Sequence, residues 1–274
     1  MKSLLILIIS LSISLIDTKD VKGYGYWLYG IDMKKVDLGN LSKQGTTDIF
    51  LNFYAIEAHG ENQVVSWIQK ANDLNIRVHI WMQAFYHGDW INPMKADITK
   101  IVNEAKKYAR MPGVSGVHFD YLWFSGTNNN IAKGRTKEIN DLVKLAVSAI
   151  HSINPKCIVS AALMPEKNDS KYYYGQDYEV ISSYMDVVVP MIYKGNYKQN
   201  TVWIKKTTEW YVKNSKGAAV WAGIQSYRND DNPTKLSLNE LTSDAKAALN
   251  GKAKGVIVFR WGITNLLNYK SIKK

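Results

Sequence analysis

Apolar runs of strand length alternate with helical periodicity along almost the whole chain from Tyr24 onward, with no long linker between them. The runs fall at 26–29, 48–54, 77–83, 116–124, 157–164, 187–193, 219–225 and 255–261. Between them, helical spacing predicts helices at 36–44, 62–74, 98–109, 137–153, 178–184, 201–214 and 238–249, with only a stub after the last run. In the second helix Val64, Val65, Ile68 and Ala71 recur on one face, the spacing of an amphipathic helix. Near-continuous apolar strands are what a parallel sheet covered on both faces requires. Eight such strands predict a single (β/α)8 barrel over 24–274. A doubly wound open sheet would carry a glycine-rich phosphate loop after its first strand. Tyr29-Gly30-Ile31-Asp32 is not one.

A barrel of this kind places its chemistry at the C-terminal ends of the strands. Those ends present Tyr29, Asp32, Asn52, Tyr54, Trp81, Gln83 and Asp120 in the first half. The second half adds Glu166, Tyr193, Gln225, Tyr227, Arg260 and Trp261. Amides hydrogen-bond hydroxyls and aromatic faces stack on sugar rings, so the mixture predicts a carbohydrate site and a poor phosphate cradle. Glycoside hydrolysis needs two carboxyl groups flanking one bond. Asp120 is the expected base or nucleophile and Glu166, one strand on, the expected proton donor; Asp32 and Glu57 are weaker choices. Tyr193, Gln225, Asn52 and Arg260 are expected to orient the sugar, and Trp81 and Trp261 to stack on it. Tyr29, Tyr54 and Gln83 complete the rim.

Composition narrows the partners. The chain has 274 residues with 9 Trp and 17 Tyr, and a formal net charge of +11. Its lysines are scattered over helices and no nucleic-acid motif occurs, so an anionic glycan rather than nucleic acid is the expected partner. His118 and Asp120 lie on the same side of one strand and would supply two metal ligands, but no third is evident. No metal and no cofactor are expected. His118 is expected in the barrel interior, bonded to Asp120 or to a neighbouring strand, within the sugar-binding set. No Gly-x-Ser-x-Gly elbow occurs, and the single cysteine, Cys157, begins a strand where packing is its expected role. Met1-Lys2-Ser3 followed by the apolar Leu4 to Ile16 predicts a signal peptide or N-terminal anchor at 1–18. A secreted or cell-surface monomer is expected.

Three motifs then carry a resemblance: Gly116-Val117-His118-Phe119-Asp120-Tyr121, Met191-Ile192-Tyr193 and Val258-Phe259-Arg260-Trp261. Together they resemble the family 18 chitinases, which have an acidic motif ending the fourth strand, Met-x-Tyr at the sixth and Trp at the eighth. The resemblance adds Tyr121 and Met191 to the sugar-binding residues. It departs from the family at Leu122, where the acid-donating Glu would stand, and this puts the substrate-assisted mechanism in doubt. A closer resemblance is to uncharacterised glycoside-hydrolase barrels with a Phe-Asp-Tyr-x-Arg-Phe-Pro signature; here Trp123 replaces the Arg and Ser125 the Pro. Over nearly its whole mature length the chain is similar to exported proteins of this type from methane-producing archaea, through 48–52, 172–178 and 190–197. That implies a cell-wall or surface glycan as substrate, such as an acidic pseudomurein. Two alternatives stay open: a barrel that binds glycan without cleaving it, as an adhesin would, and a hydrolase or lyase of another wall bond.

Overall fold

A computed structural model of the protein describes residues 20–125 and 132–273. The expected leader at 1–18 lies outside the described residues. Among the described residues ten strands occur: β1 (Gly23–Leu28), β2 (Asp48–Asn52), β3 (Arg77–Gln83), β4 (Gly116–Asp120), β5 (Ile158–Leu163), β6 (Val187–Pro190), β7 (Ala219–Gln225), β8 (Tyr227–Asn229), β9 (Asn232–Lys235) and β10 (Gly255–Phe259). Eight of them close a parallel barrel in the order β1-β10-β7-β6-β5-β4-β3-β2. The seam is the β1–β10 pair, in register from Gly23↔Gly255 to Tyr26↔Val258. The expected (β/α)8 barrel is the observed fold.

The helices follow their apolar stripes. Helix Ile98–Arg110 buries Ile101, Ala105, Tyr108 and Ala109, and Asp97 caps it by accepting from the backbone of Lys100, satisfying one of the first-turn N–H groups. None of the described helices is long and apolar enough to cross a membrane. Cys157 is buried, and burial pushes its thiol up to about 12.

Differences from the pattern-based reading cluster at the strand ends. The second strand stops at Asn52 because its side chain accepts from the Tyr54 N–H, turning the chain into a short helix, Tyr54–His59. The sixth and last strands stop early, at Pro190 and Phe259. Beyond β7 the chain forms the antiparallel hairpin β8–β9, which the pattern did not predict.

The barrel interior is a column of rings. At its N-terminal end, Asp48 is fully buried and accepts from His79 Nε2 (2.8 Å), Arg77 Nε (2.9 Å) and Arg77 Nη2 (2.9 Å). Above it Phe50 meets His79 edge-on at 5.0 Å and stacks on His118 at 4.0 Å. Trp27 lies against His118 on one side and Phe259 on the other. The column ends in the aromatic floor of the site.

Candidate active site

Asp120 ends β4, where alternation along the strand turns it into the barrel mouth. It is 8% exposed. One oxygen accepts from Trp81 Nε1 at 2.8 Å and the other from the backbone N–H of Tyr121 at 2.7 Å. Tyr121 adopts φ 51°, a left-handed conformation that non-glycine residues rarely hold. Burial pushes the Asp120 carboxyl up from 3.8 to about 6, against the pull of those two hydrogen bonds. A buried acid with this midpoint can exchange a proton near neutrality.

Around Asp120 opens a cavity of about 590 Å³. Tyr29, Asn52, Tyr54, Trp81 and Gln83 line one side of the predicted set. Tyr121, Met191 and Tyr193 join them from the strands that follow. The Tyr193 ring stacks on Phe259 at 5.6 Å. Burial, and then the charge of Asp120 with smaller contributions from Tyr227, Asp230 and Tyr29, raises its hydroxyl well above 10, so it remains a hydrogen-bond donor facing the acids.

Five predicted residues do not line the cavity, each for a local reason. Glu166 follows β5, but the chain turns beyond Leu163, and its Oε1 accepts from Tyr197 (2.6 Å) and Tyr174 (3.1 Å) instead. His118 lies one layer below Asp120, fully buried, with Nδ1 2.9 Å from Ser160 Oγ of β5; burial holds it well below 6.5. Gln225 is also buried, and both ends of its amide engage Asn196. Arg260 lies past the end of β10, with its guanidinium 4.1 Å over the Tyr29 ring and 4.0 Å from Asp32. Trp261 bonds through its backbone to the Trp27 carbonyl and packs against the helix-side core. Leu122, in the place of the family 18 glutamate, is buried in that same core.

Tyr227, a strand-end residue given no role above, joins the lining, and the structure adds four residues that the strand-end reading did not select: Trp27, Trp123, Asp230 and Phe259. In place of Trp261, the ring expected to stack on the sugar, it is Phe259, the last residue of β10, that lines the cavity. Tyr121 stacks between Tyr86 (4.6 Å) and Trp123 (5.4 Å), and Trp90 packs against all three. This aromatic group continues from the cavity over the rim, where Trp90 remains 37% exposed. Among the described residues no group of three or more His, Cys, Asp or Glu side chains is arranged to hold a metal.

Residues 57–223, more than half of the chain, match the family described as "Putative glycosyl hydrolase domain". The chain belongs to that family. The glycosidase class expected from the strand ends is therefore the class of the family. No curated protein matches the sequence. Among solved structures, the fold is similar to the PgaB (BpsB) glycoside hydrolase domain from Bordetella bronchiseptica, with TM-score 0.70 and 11% identity over 92% of this chain and 97% of that one. A class V chitinase from Pseudomonas fluorescens Pf-5 gives TM-score 0.68 and 12% identity over 92% and 99%. The Bacillus megaterium spore cortex-lytic enzyme SleL gives 0.63 and 13% over 92% and 73%. At these identities the likeness is one of fold.

Proposed function

We propose that the protein is an exported glycoside hydrolase that cleaves a cell-wall or surface polysaccharide, with Asp120 as its proton donor. The observation that carries this reading is Asp120 itself: a buried carboxyl with a midpoint raised to about 6, set among sugar-stacking rings at the mouth of a barrel. This exchanges the role that spacing alone gives it, since burial favours the protonated form and hence an acid over a nucleophile. Among the described residues the lining holds Asp120 and Asp230 and no Lys or Arg. The sugar at the cut is therefore neutral or amino-bearing, while the +11 charge of the chain draws the enzyme to an anionic polymer such as a pseudomurein-like wall.

The test is release of reducing ends from glycol chitin, mannan, bacterial cortex peptidoglycan, pseudomurein and polygalacturonate. Cleavage of at least one of the first four, and weakest action on polygalacturonate, supports the reading; no release from any of them contradicts it. A second reading, a barrel that binds glycan without cutting it, is favoured by Leu122 at the family 18 acid position and by Glu166 outside the cavity. It predicts tight retention of one polymer with its chain length unchanged.

The rim rings make a further prediction. A sugar stacked on an aromatic ring gains about 1 kcal/mol, so Trp90→Ala is expected to raise KM for the polymer about fivefold with kcat unchanged. Steady-state kinetics on long and short chains checks this, and an equal effect on disaccharides would remove Trp90 from polymer binding.

A further inference from the structure

Asp230 lies at the tip of the β8–β9 hairpin, and with Asp120 it is one of two acids that line the cavity among the described residues. Its setting is unusually fixed for an exposed residue. Oδ1 accepts from Tyr227 Oη at 2.8 Å and Oδ2 from Asn196 Nδ2 at 2.8 Å, while its own N–H donates to Asn196 Oδ1 at 3.0 Å. Asn196 is braced in turn by Gln225, whose amide donates to Asn196 Oδ1 at 2.9 Å and accepts from its backbone N–H at 3.3 Å. The preceding residue, Gly195, runs so close to the hairpin that a Cβ there would sit 1.6 Å from the Arg228 carbonyl oxygen. Backbone contact, a buried glutamine and an asparagine thus converge on one carboxylate at the cavity wall. Each Asp230 oxygen keeps a free lone pair, which is what a carboxylate needs in order to accept a proton from water.

We infer that Asp230 is the catalytic base that works opposite Asp120, positioned by Gln225 and Asn196. The inference rests on the hydrolase reading above and supplies the second carboxyl that this reaction requires. Asp120 gives its proton to the glycosidic oxygen as the bond from that oxygen to the anomeric carbon breaks, the electron pair staying on the oxygen. Asp230 removes a proton from a water molecule whose oxygen bonds to the anomeric carbon. Two hydroxyl-ended sugars leave, the new reducing end carrying inverted configuration. Asp120 is left ionised and Asp230 protonated, and exchange with solvent restores both. Asp230 is exposed on a hairpin, so its replacement does not threaten the barrel core.

The test uses the polysaccharide that the wild-type protein cleaves in the panel above. Asp230→Asn is expected to lower kcat about 10³-fold, within the range of a general base, with the thermal midpoint unchanged. Asp230→Ala is expected to regain turnover in sodium azide and to form a glycosyl azide of inverted configuration, seen by mass spectrometry and NMR. A purely structural role would give no azide adduct. Near-wild-type turnover of Asp230→Asn, no azide rescue of Asp230→Ala, or retained configuration in the wild-type product would overturn the inference. If Asp120→Asn is inactive in the same assay the hydrolase reading survives that outcome, and if Asp120→Asn is fully active the hydrolase reading fails first.

Discussion

Asp120→Asn is expected to lose 10²- to 10⁴-fold in turnover, roughly the contribution of one general acid, and at the same time to become more stable at neutral pH. The carboxyl is raised by burial from 3.8 to about 6, so the native state holds its proton through a range in which the unfolded chain has released it. Stability therefore falls as pH rises from about 4 to about 6, and above that the wild type carries the full penalty. Two pKa units correspond to about 3 kcal/mol. The amide cannot accept both the Trp81 and the Tyr121 N–H, which gives back about 1 kcal/mol. A net gain of about 1–2 kcal/mol at pH 7.5 follows, or a few degrees in thermal midpoint for a chain of this size, shrinking to nothing or reversing at pH 4. Thermal melts of both proteins at the two pH values check it; a variant less stable than wild type at pH 7.5 would contradict a desolvated carboxylate.

Asp48→Ala lies at the opposite end of the barrel and is expected to have the largest effect on folding. Asp48 is fully buried, and burial alone would raise it, but His79 and Arg77 outweigh that and hold it below 3.8. Burial keeps His79 itself below its ordinary value, so its Nε2–H is the donor to Asp48. Besides these two, the carboxylate accepts from Thr47 Oγ1 at 2.6 Å and from the Tyr24 N–H at 3.3 Å. Removing it strands donors from β1, β3 and the residue before β2, a loss of about 3–5 kcal/mol. Because the folded carboxyl is depressed, this stabilisation is complete above about pH 4 and is lost as the pH falls through the folded value. Denaturant unfolding at pH 7 should show the deficit, and at pH 3 the gap between variant and wild type should narrow. A loss under 1 kcal/mol at pH 7 would show that Arg77 and His79 do not depend on Asp48.

The barrel was legible because each strand must be apolar on both faces, which leaves a pattern in the residues themselves. Strands β3 and β7 coincide with their runs to the residue. Asp120 was legible too, as the one acid closing such a run. What alternation does not carry is the direction of the chain once a strand ends. Glu166, Arg260 and Trp261 all follow strand ends, where the alternation of the strand no longer sets the direction of a side chain. Gln225 faces inward as its register requires, but a neighbour that runs past β6, Asn196, occupies its amide. The hairpin that delivers Asp230 has the sequence Tyr-Arg-Asn-Asp-Asp-Asn-Pro-Thr-Lys at 227–235, without an alternating apolar face, so nothing in its periodicity marks it as strand. A turn signal was present in the run of Asn and Asp at 229–232, where such side chains bond their own backbone.

The pH dependence of kcat/KM tests the central claim most directly, because it reports the free enzyme's essential acid. If Asp120 delivers the proton, its protonated form is the active one, and kcat/KM on the cleaved polysaccharide should fall about tenfold per pH unit above a midpoint near 6. A rate that stays level or rises from pH 5 to pH 8 would contradict the account.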